Sequence, residues 1–194
     1  MNEPQTILTL AEIARRLDQA GITWAVFAGA AAAAYGATRP LTDVDILVPA
    51  AEGDRLAALF PEAQVDRRED GSARGIQLPG FDILAGLMIM DLDTHMAARL
   101  QHHEVTGVTV PVIPPEDNIL LKAIMGRGPE VGKHDWDDVQ AMLARLPSLD
   151  WEYLRWRANA SAHRQRVQQA LKRLETMRRQ MGAGPTMGNV KRIA

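Results

Sequence analysis

The sequence predicts an α/β fold that passes into an all-helical C-terminal region. Three observations lead there. Residues 24–48 run from a short apolar stretch through a glycine break and an alanine-rich helix to a second apolar stretch. Residues 75–113 hold short strand-like runs, rich in β-branched residues, around a Pro-Gly pair and Gly107. From residue 114 onward, apolar positions recur at helical spacing. The expected division is an α/β unit over residues 1–113, a helical region over 114–181 and a disordered tail over 182–194, where Gly, Pro, Thr and Asn dominate.

Each element follows from its local pattern. Residues 6–20 place Ile7, Leu10, Ile13, Ala14 and Leu17 on one helical stripe, and Gly21 stops the helix. Residues 24–28 read as a strand, Gly29 as the turn, and Ala30 onward as a short helix, because alanine is the best helix former. A strand carrying Asp43-Val44-Asp45-Ile46 ends at Pro49, and residues 50–60 read as a helix stopped by Pro61. Residues 66–74 are a polar hairpin loop, followed by short strands over 75–78 and 81–84. Residues 95–103 are expected to be helical, with His102 and His103 on the surface. Residues 104–113 read as a hairpin or paired edge strands, and Pro111 points to an edge. Helices are expected over 118–125, 133–143, 150–160 and 161–181.

Composition restricts the function classes. Apolar content of 46% and charged content of 24% belong to an ordinary globular chain, and no apolar run approaches a membrane span. No signal-peptide pattern opens the sequence, and zero cysteines exclude disulfides and thiolate metal sites, so a cytoplasmic protein is expected. The net charge of −2 conceals +7 from Asp150 onward and −9 before it. A basic helical tail suits an RNA or nucleotide partner, or is simply a solvated helix. Trp151, Tyr153 and Trp156 could stack nucleobases or anchor a docked helix.

The chemistry is concentrated around Asp43 and Asp45. Two acids two positions apart on a strand share a face at roughly 6.5–7 Å between Cα atoms. Their carboxylates can converge on a hard cation that takes its remaining ligands from substrate phosphates. The glycine turn and helix start beside them offer free N–H groups to phosphate.

Gly29-Ala30, twelve intervening residues, then Asp43-Val44-Asp45-Ile46 resembles the signature of the DNA polymerase beta-like nucleotidyltransferase superfamily. The Arg39-Pro-Leu-Thr-Asp43 lead-in is closest to bacterial abortive-infection (AbiEii-type) toxin nucleotidyltransferases and their relatives. One departure is that members commonly have Gly-Gly or Gly-Ser where this chain has Gly29-Ala30, so a phosphate-binding serine hydroxyl is missing. The resemblance implies the nucleotidyltransferase fold, a small mixed sheet flanked by helices. It implies transfer of a nucleoside monophosphate from an NTP to a hydroxyl of RNA or protein, with Mg²⁺, two ions, or Mn²⁺ as cofactor. Asp43, Asp45 and Asp82 would be catalytic and metal-binding. Gly29, Ala30, Arg39, Thr42 and Lys122 would bind nucleotide. A toxin of this kind would have an antitoxin partner, and neither DNA nor membrane is expected to be one.

The same resemblance extends to the C-terminal half. Pro115-Glu-Asp117 opens a helix bearing Lys122, and Lys133, Asp135 and Asp138 match a following Lys-Asp-x-x-Asp-type helix start with His134 inserted. On physical grounds alone, Lys122 either snorkels from its apolar helix or reaches a phosphate. Asp135 and Asp138 either complement a helix dipole or join the site. Asp82, an acid between Phe81 and Ile83, fits the third carboxylate best, whereas Asp91 and Asp93 read as a helix cap and a loop acid, with one of them the alternative third ligand. A non-catalytic nucleotide- or partner-binding protein on the same fold is the alternative function, and an RNA-binding module on the basic helices is a third.

Overall fold

The strand carrying Asp45 lies at the centre of a mixed sheet. The computed structural model describes residues 8–146, 148–161 and 164–182; of the tail expected over 182–194, Gly182 instead ends a helix and the rest lies outside the described residues. The strands are β1 (Ala25–Phe27), β2 (Val44–Val48), β3 (Gln64–Arg67), β4 (Ala73–Leu78), β5 (Phe81–Ala85), β6 (Gln101–Val105) and β7 (Val108–Val112). Among the described residues they form one sheet in the order β3-β4-β5-β2-β1-β7-β6. The β2–β5 and β1–β7 pairs are parallel, and the others antiparallel.

Strand alternation sorts the side chains onto two faces. Val26, Val44, Ile46, Val48 and Ile83 enter the larger buried cluster. Ala25, Phe27 and Leu47 enter a smaller one, completed by Leu92, Met96, Ile113 and Leu121. Asp45 and Asp82 lie directly across from one another on this second face. The acids therefore sit at the rim of an apolar layer, not inside it.

Helices α1 (Leu10–Gln19), α2 (Ala28–Ala34) and α3 (Gly53–Leu59) precede α4 (Thr94–Ala97) and α5 (Pro115–Met125), and α6 (Asp135–Arg145), α7 (Trp151–Ala160) and α8 (Arg164–Gly182) complete the chain. Thr9 caps α1 by accepting from the Glu12 N–H, and Gly21, at φ +63°, ends it with the Ile22 N–H returned to the Leu17 carbonyl. Leu10, Ile13 and Leu17 bury its apolar face, each contributing about 1.5–3 kcal/mol.

Helix α5 is buried on every side and packs against α2, α6, α7 and α8. The larger cluster runs from α1 through the sheet to α8, crossing residue 113 without a break. The polar residues of α5 are therefore matched from the C-terminal helices. Asp117, fully buried, accepts from Tyr153 Oη at 2.7 Å and Arg157 Nε at 2.6 Å, while Arg157 also binds Asp93. Burial pushes the Asp117 carboxyl up, and Arg157 and Tyr153 work against that shift.

Three expectations are corrected. Residues 95–103 are not one helix: α4 ends at Ala97, and His102 and His103 lie on β6, an edge strand whose backbone pairs with β7. Residues 66–74 are not all loop, since Asp66, Arg67, Ala73 and Arg74 belong to paired strands β3 and β4. Pro111 sits on β7, one strand in from the edge. It is tolerated because β1 registers with β7 only at Val26–Val112, so the ladder asks for no N–H at residue 111.

Candidate active site

The site begins where β1 ends. Ala28 follows Phe27 directly and opens α2 at φ +54°, a left-handed conformation that costs an L-residue roughly 1–2 kcal/mol. Asn118, fully buried on α5, holds this turn by donating from Nδ2 to the Ala28 carbonyl at 3.1 Å. The sharp turn expected at Gly29 thus lies one residue earlier. Glycine at 29 answers a different need: a Cβ there would stand 2.7 Å from Nη2 of Arg39. The guanidinium lies against the opening of α2, and a side chain at 29 would displace its end.

Arg39 is fixed from the other side. Its Nε donates to both carboxylate oxygens of Asp138, at 3.0 and 3.1 Å. Asp138 also takes Lys122 Nζ at 2.7 Å, and Lys122 reaches Asp135 at 3.1 Å. Asp135 in turn accepts from the Arg127 backbone N–H at 3.1 Å and from its Nε at 2.9 Å. The result is one chain of alternating charge, Arg39–Asp138–Lys122–Asp135–Arg127. Asp135, Asp138 and Lys122 are buried within it. Burial opposes ionisation of Asp135, but the Arg127 hydrogen bond and Lys122 together hold its carboxyl below the ordinary range. Lys122 does not snorkel, and the two aspartates do more than complement the dipole of α6.

This chain of charge and the carboxylates meet at one cavity. It measures about 270 Å³, and its lining includes Thr42, Asp43 and Asp45 together with Arg39, Lys122, Arg127, Lys133 and Asp135, and the turn at Ala28 and Gly29. Thr42 Oγ1 donates to Asp43 at 3.0 Å. Burial, then the Asp43 and Asp82 carboxylates, push the Asp45 carboxyl up to about 6, against partial relief from Lys133 and Lys122. Asp45 is thus a carboxylate short of positive charge.

Most of the residues singled out from the sequence meet here: Gly29, Arg39, Thr42, Asp43, Asp45, Lys122, Lys133 and Asp135 line the cavity, with Asp138 directly behind Arg39 and Lys122. Two do not line it. The Ala30 side chain is buried in the larger core cluster, and Asp82 stands beside Asp45 in register without reaching the cavity wall. Among the described residues no three His, Cys, Asp or Glu side chains gather as a preformed metal cluster. The donor set fits a hard divalent cation through Asp43 and Asp45, with substrate phosphate oxygens completing its shell. The raised Asp45 carboxyl is the structural sign that positive charge would be welcome there.

Sequence reasoning missed Arg127, in a loop read as a connection, although an arginine between Gly126 and Gly128 directly after the Lys122 helix was an available signal. It also gave no role to His134, whose Nδ1 lies 2.9 Å from Asp137 Oδ2 at the cavity margin. Asp93 caps α4 by accepting from Met96 N–H, and Asp91 accepts from Ala50 N–H; neither lines the cavity.

The basic C-terminal helices are largely engaged with the fold. Arg173 lies 3.6 Å over the Trp136 ring and Arg178 4.6 Å over Trp151. Tyr153 is buried, while Trp156 stays 42% exposed in an open cleft with His95 and Arg99. No helix among the described residues is long and apolar enough to cross a membrane.

No family model matches the chain, and no curated protein does. Among solved structures, the crystal structure of an antigenic nucleotidyltransferase-like protein from Paracoccidioides brasiliensis aligns at 20% identity with a TM-score of 0.51, covering 88% of this chain and 87% of that one. The antibiotic-resistance factor ANT(2'')-Ia aligns at 13% identity and TM-score 0.48, covering 87% and 90%. The lincosamide antibiotic adenylyltransferase LnuA aligns at 15% identity and TM-score 0.47, covering 71% and 98%. The likeness to the first establishes the architecture: this chain has the nucleotidyltransferase-like fold.

Proposed function

We propose that the protein transfers a nucleoside monophosphate from a nucleoside triphosphate to a hydroxyl group, releasing pyrophosphate. The observation that carries this reading is a cavity lined by both Asp43 and Asp45 and by Arg39, Arg127 and Lys133. Carboxylates and cations gathered around one space suit a metal–polyphosphate, which brings a cation for the carboxylates and oxyanions for the basic groups.

Asp43 and Asp45 would hold Mg²⁺ or Mn²⁺. When bound, such an ion supplies Lewis-acid stabilisation of charge on the transferring phosphoryl oxygens. The remaining roles belong to the chain itself. Arg39, Arg127 and Lys133 orient the triphosphate, and the backbone at Ala28 and Gly29 gives it close approach. The acceptor oxygen bonds to the α-phosphorus as the bond to the bridging α,β-oxygen breaks. Pyrophosphate departs with that electron pair, and the hydroxyl proton passes to solvent; Asp82, expected from the resemblance to help activate the hydroxyl, stands beside Asp45 outside the cavity wall. Positioning and electrostatics supply most of the acceleration in such phosphoryl chemistry.

The sequence resemblance to abortive-infection toxins favours RNA or protein as the source of the acceptor hydroxyl, and an antitoxin as partner. Wild-type protein with Mg²⁺ and each α-labelled NTP, incubated with separated cell RNA, protein and small-molecule fractions, tests this reading. Label in one macromolecular fraction supports transfer and names the acceptor class. Label only in small molecules removes the toxin reading. No label from folded protein favours the alternative, a non-catalytic nucleotide-binding protein.

A further inference from the structure

We infer that Arg39 and Arg127 are the two prongs of a clamp for the β- and γ-phosphates, and that Lys122 braces them from behind. This inference rests on the reading above and deepens it, by dividing the cations of the site into those that grip substrate and one that holds the grip in shape.

The division comes from burial and from which donors are already used. The Lys122 side chain is 3% exposed, and two of its three N–H donors go to Asp135 and Asp138. The arginines are in the opposite condition. Arg39 is 32% exposed and binds Asp138 through Nε, while its Nη2 stands against Gly29 and the residue lines the cavity. Arg127 is 36% exposed and binds Asp135 through Nε and Nη2, leaving Nη1. Each guanidinium thus has one edge tied to a buried carboxylate, and both arginines line the cavity.

The two carboxylates share Lys122, so neither prong moves without disturbing the other. Fixing an arginine before the ligand arrives removes much of the side-chain entropy that binding would otherwise cost. The planar fork of arginine suits phosphate better than lysine would. Gly126 permits this placement: it is left-handed at φ +57°, and a Cβ there would meet the Trp136 indole at 3.1 Å. The loop bearing Arg127 is therefore set by backbone geometry as well as by charge.

The test is calorimetric titration of the full chain with inorganic pyrophosphate in metal-free buffer. Wild type is expected to bind. Asp43→Asn/Asp45→Asn is expected to bind at least as tightly, because those carboxylates repel the anion. Arg39→Ala and Arg127→Ala are each expected to weaken binding by about tenfold to a hundredfold, the range for one charge-assisted contact. Arg39→Gln and Arg127→Gln, which keep the stem, are expected to weaken it equally if the alanine variants unfold. Arg99→Ala, in the remote aromatic cleft, is expected to change nothing. Undiminished binding by the Arg39 and Arg127 variants would overturn the clamp. So would equal weakening by Arg99→Ala, which would mean diffuse attraction, or failure of folded wild type to bind. Absence of nucleotidyl transfer with this binding pattern intact would count against the reaction and leave the clamp standing.

Discussion

Asp45→Asn should stabilise the metal-free protein. In the folded chain this carboxyl sits at about 6, against 3.8 ordinarily, because it is buried and faces Asp43 and Asp82. Between those two values the folded state holds more protons than the unfolded one, so stability falls as pH rises through the window and levels off above it. Ionising Asp45 at pH 7.5 therefore costs about 3 kcal/mol, at about 1.4 kcal/mol for each pH unit of the difference. At pH 5 most of the folded protein is protonated there, and the same linkage leaves about 1.5 kcal/mol. Asparagine keeps the shape and removes the charge, so the variant should gain these amounts relative to wild type. Urea unfolding in EDTA at both pH values, with unchanged m-value, measures the difference. Added Mg²⁺ should then raise wild-type stability and leave Asp45→Asn unmoved. A variant no more stable than wild type at pH 7.5, or one equally favoured at both pH values, would refute the reasoning.

Other perturbations separate support from chemistry. Lys122→Met strands Asp135 and Asp138 without their shared cation and should cost about 3–5 kcal/mol in urea unfolding, as breaking a buried ion pair does. Arg157→Met should cost a similar amount, about 3–5 kcal/mol, by leaving Asp117 buried beside Tyr153 alone; its transfer activity at a temperature where it stays folded should match wild type. Gly29→Ala should leave stability nearly unchanged, because only the flexible end of Arg39 must yield, yet raise KM for the NTP in steady-state transfer assays.

The part of the site that was legible in the sequence is the part set by short spacing. Asp43 and Asp45 share a strand face because strand period is two, and a glycine before an alanine run marks the start of α2. Lys122, Asp135 and Asp138 could be singled out, but not their mutual contacts. Nothing local says that Lys122 turns inward to two carboxylates thirteen and sixteen residues away, since helix packing decides that. Ala28 was illegible for a related reason: a left-handed alanine is held by Asn118, ninety residues distant. The edge strands β3 and β6 escaped notice because they are polar, as solvent-facing edges commonly are, and so resemble loops or helix surface. Arg127 hid in a glycine-rich connection whose course is set by Trp136 and Asp135.

In the proposed reaction the α-phosphoryl group, with its nucleoside, leaves the triphosphate for a hydroxyl. Parallel incubations with α-labelled and γ-labelled NTP, wild type beside Asp43→Ala/Asp45→Ala, test it most directly. The acceptor should be labelled from the α position only, with labelled pyrophosphate from the γ position and neither product with the double variant. Acceptor labelled from the γ position, or labelling that survives loss of both aspartates, would contradict it.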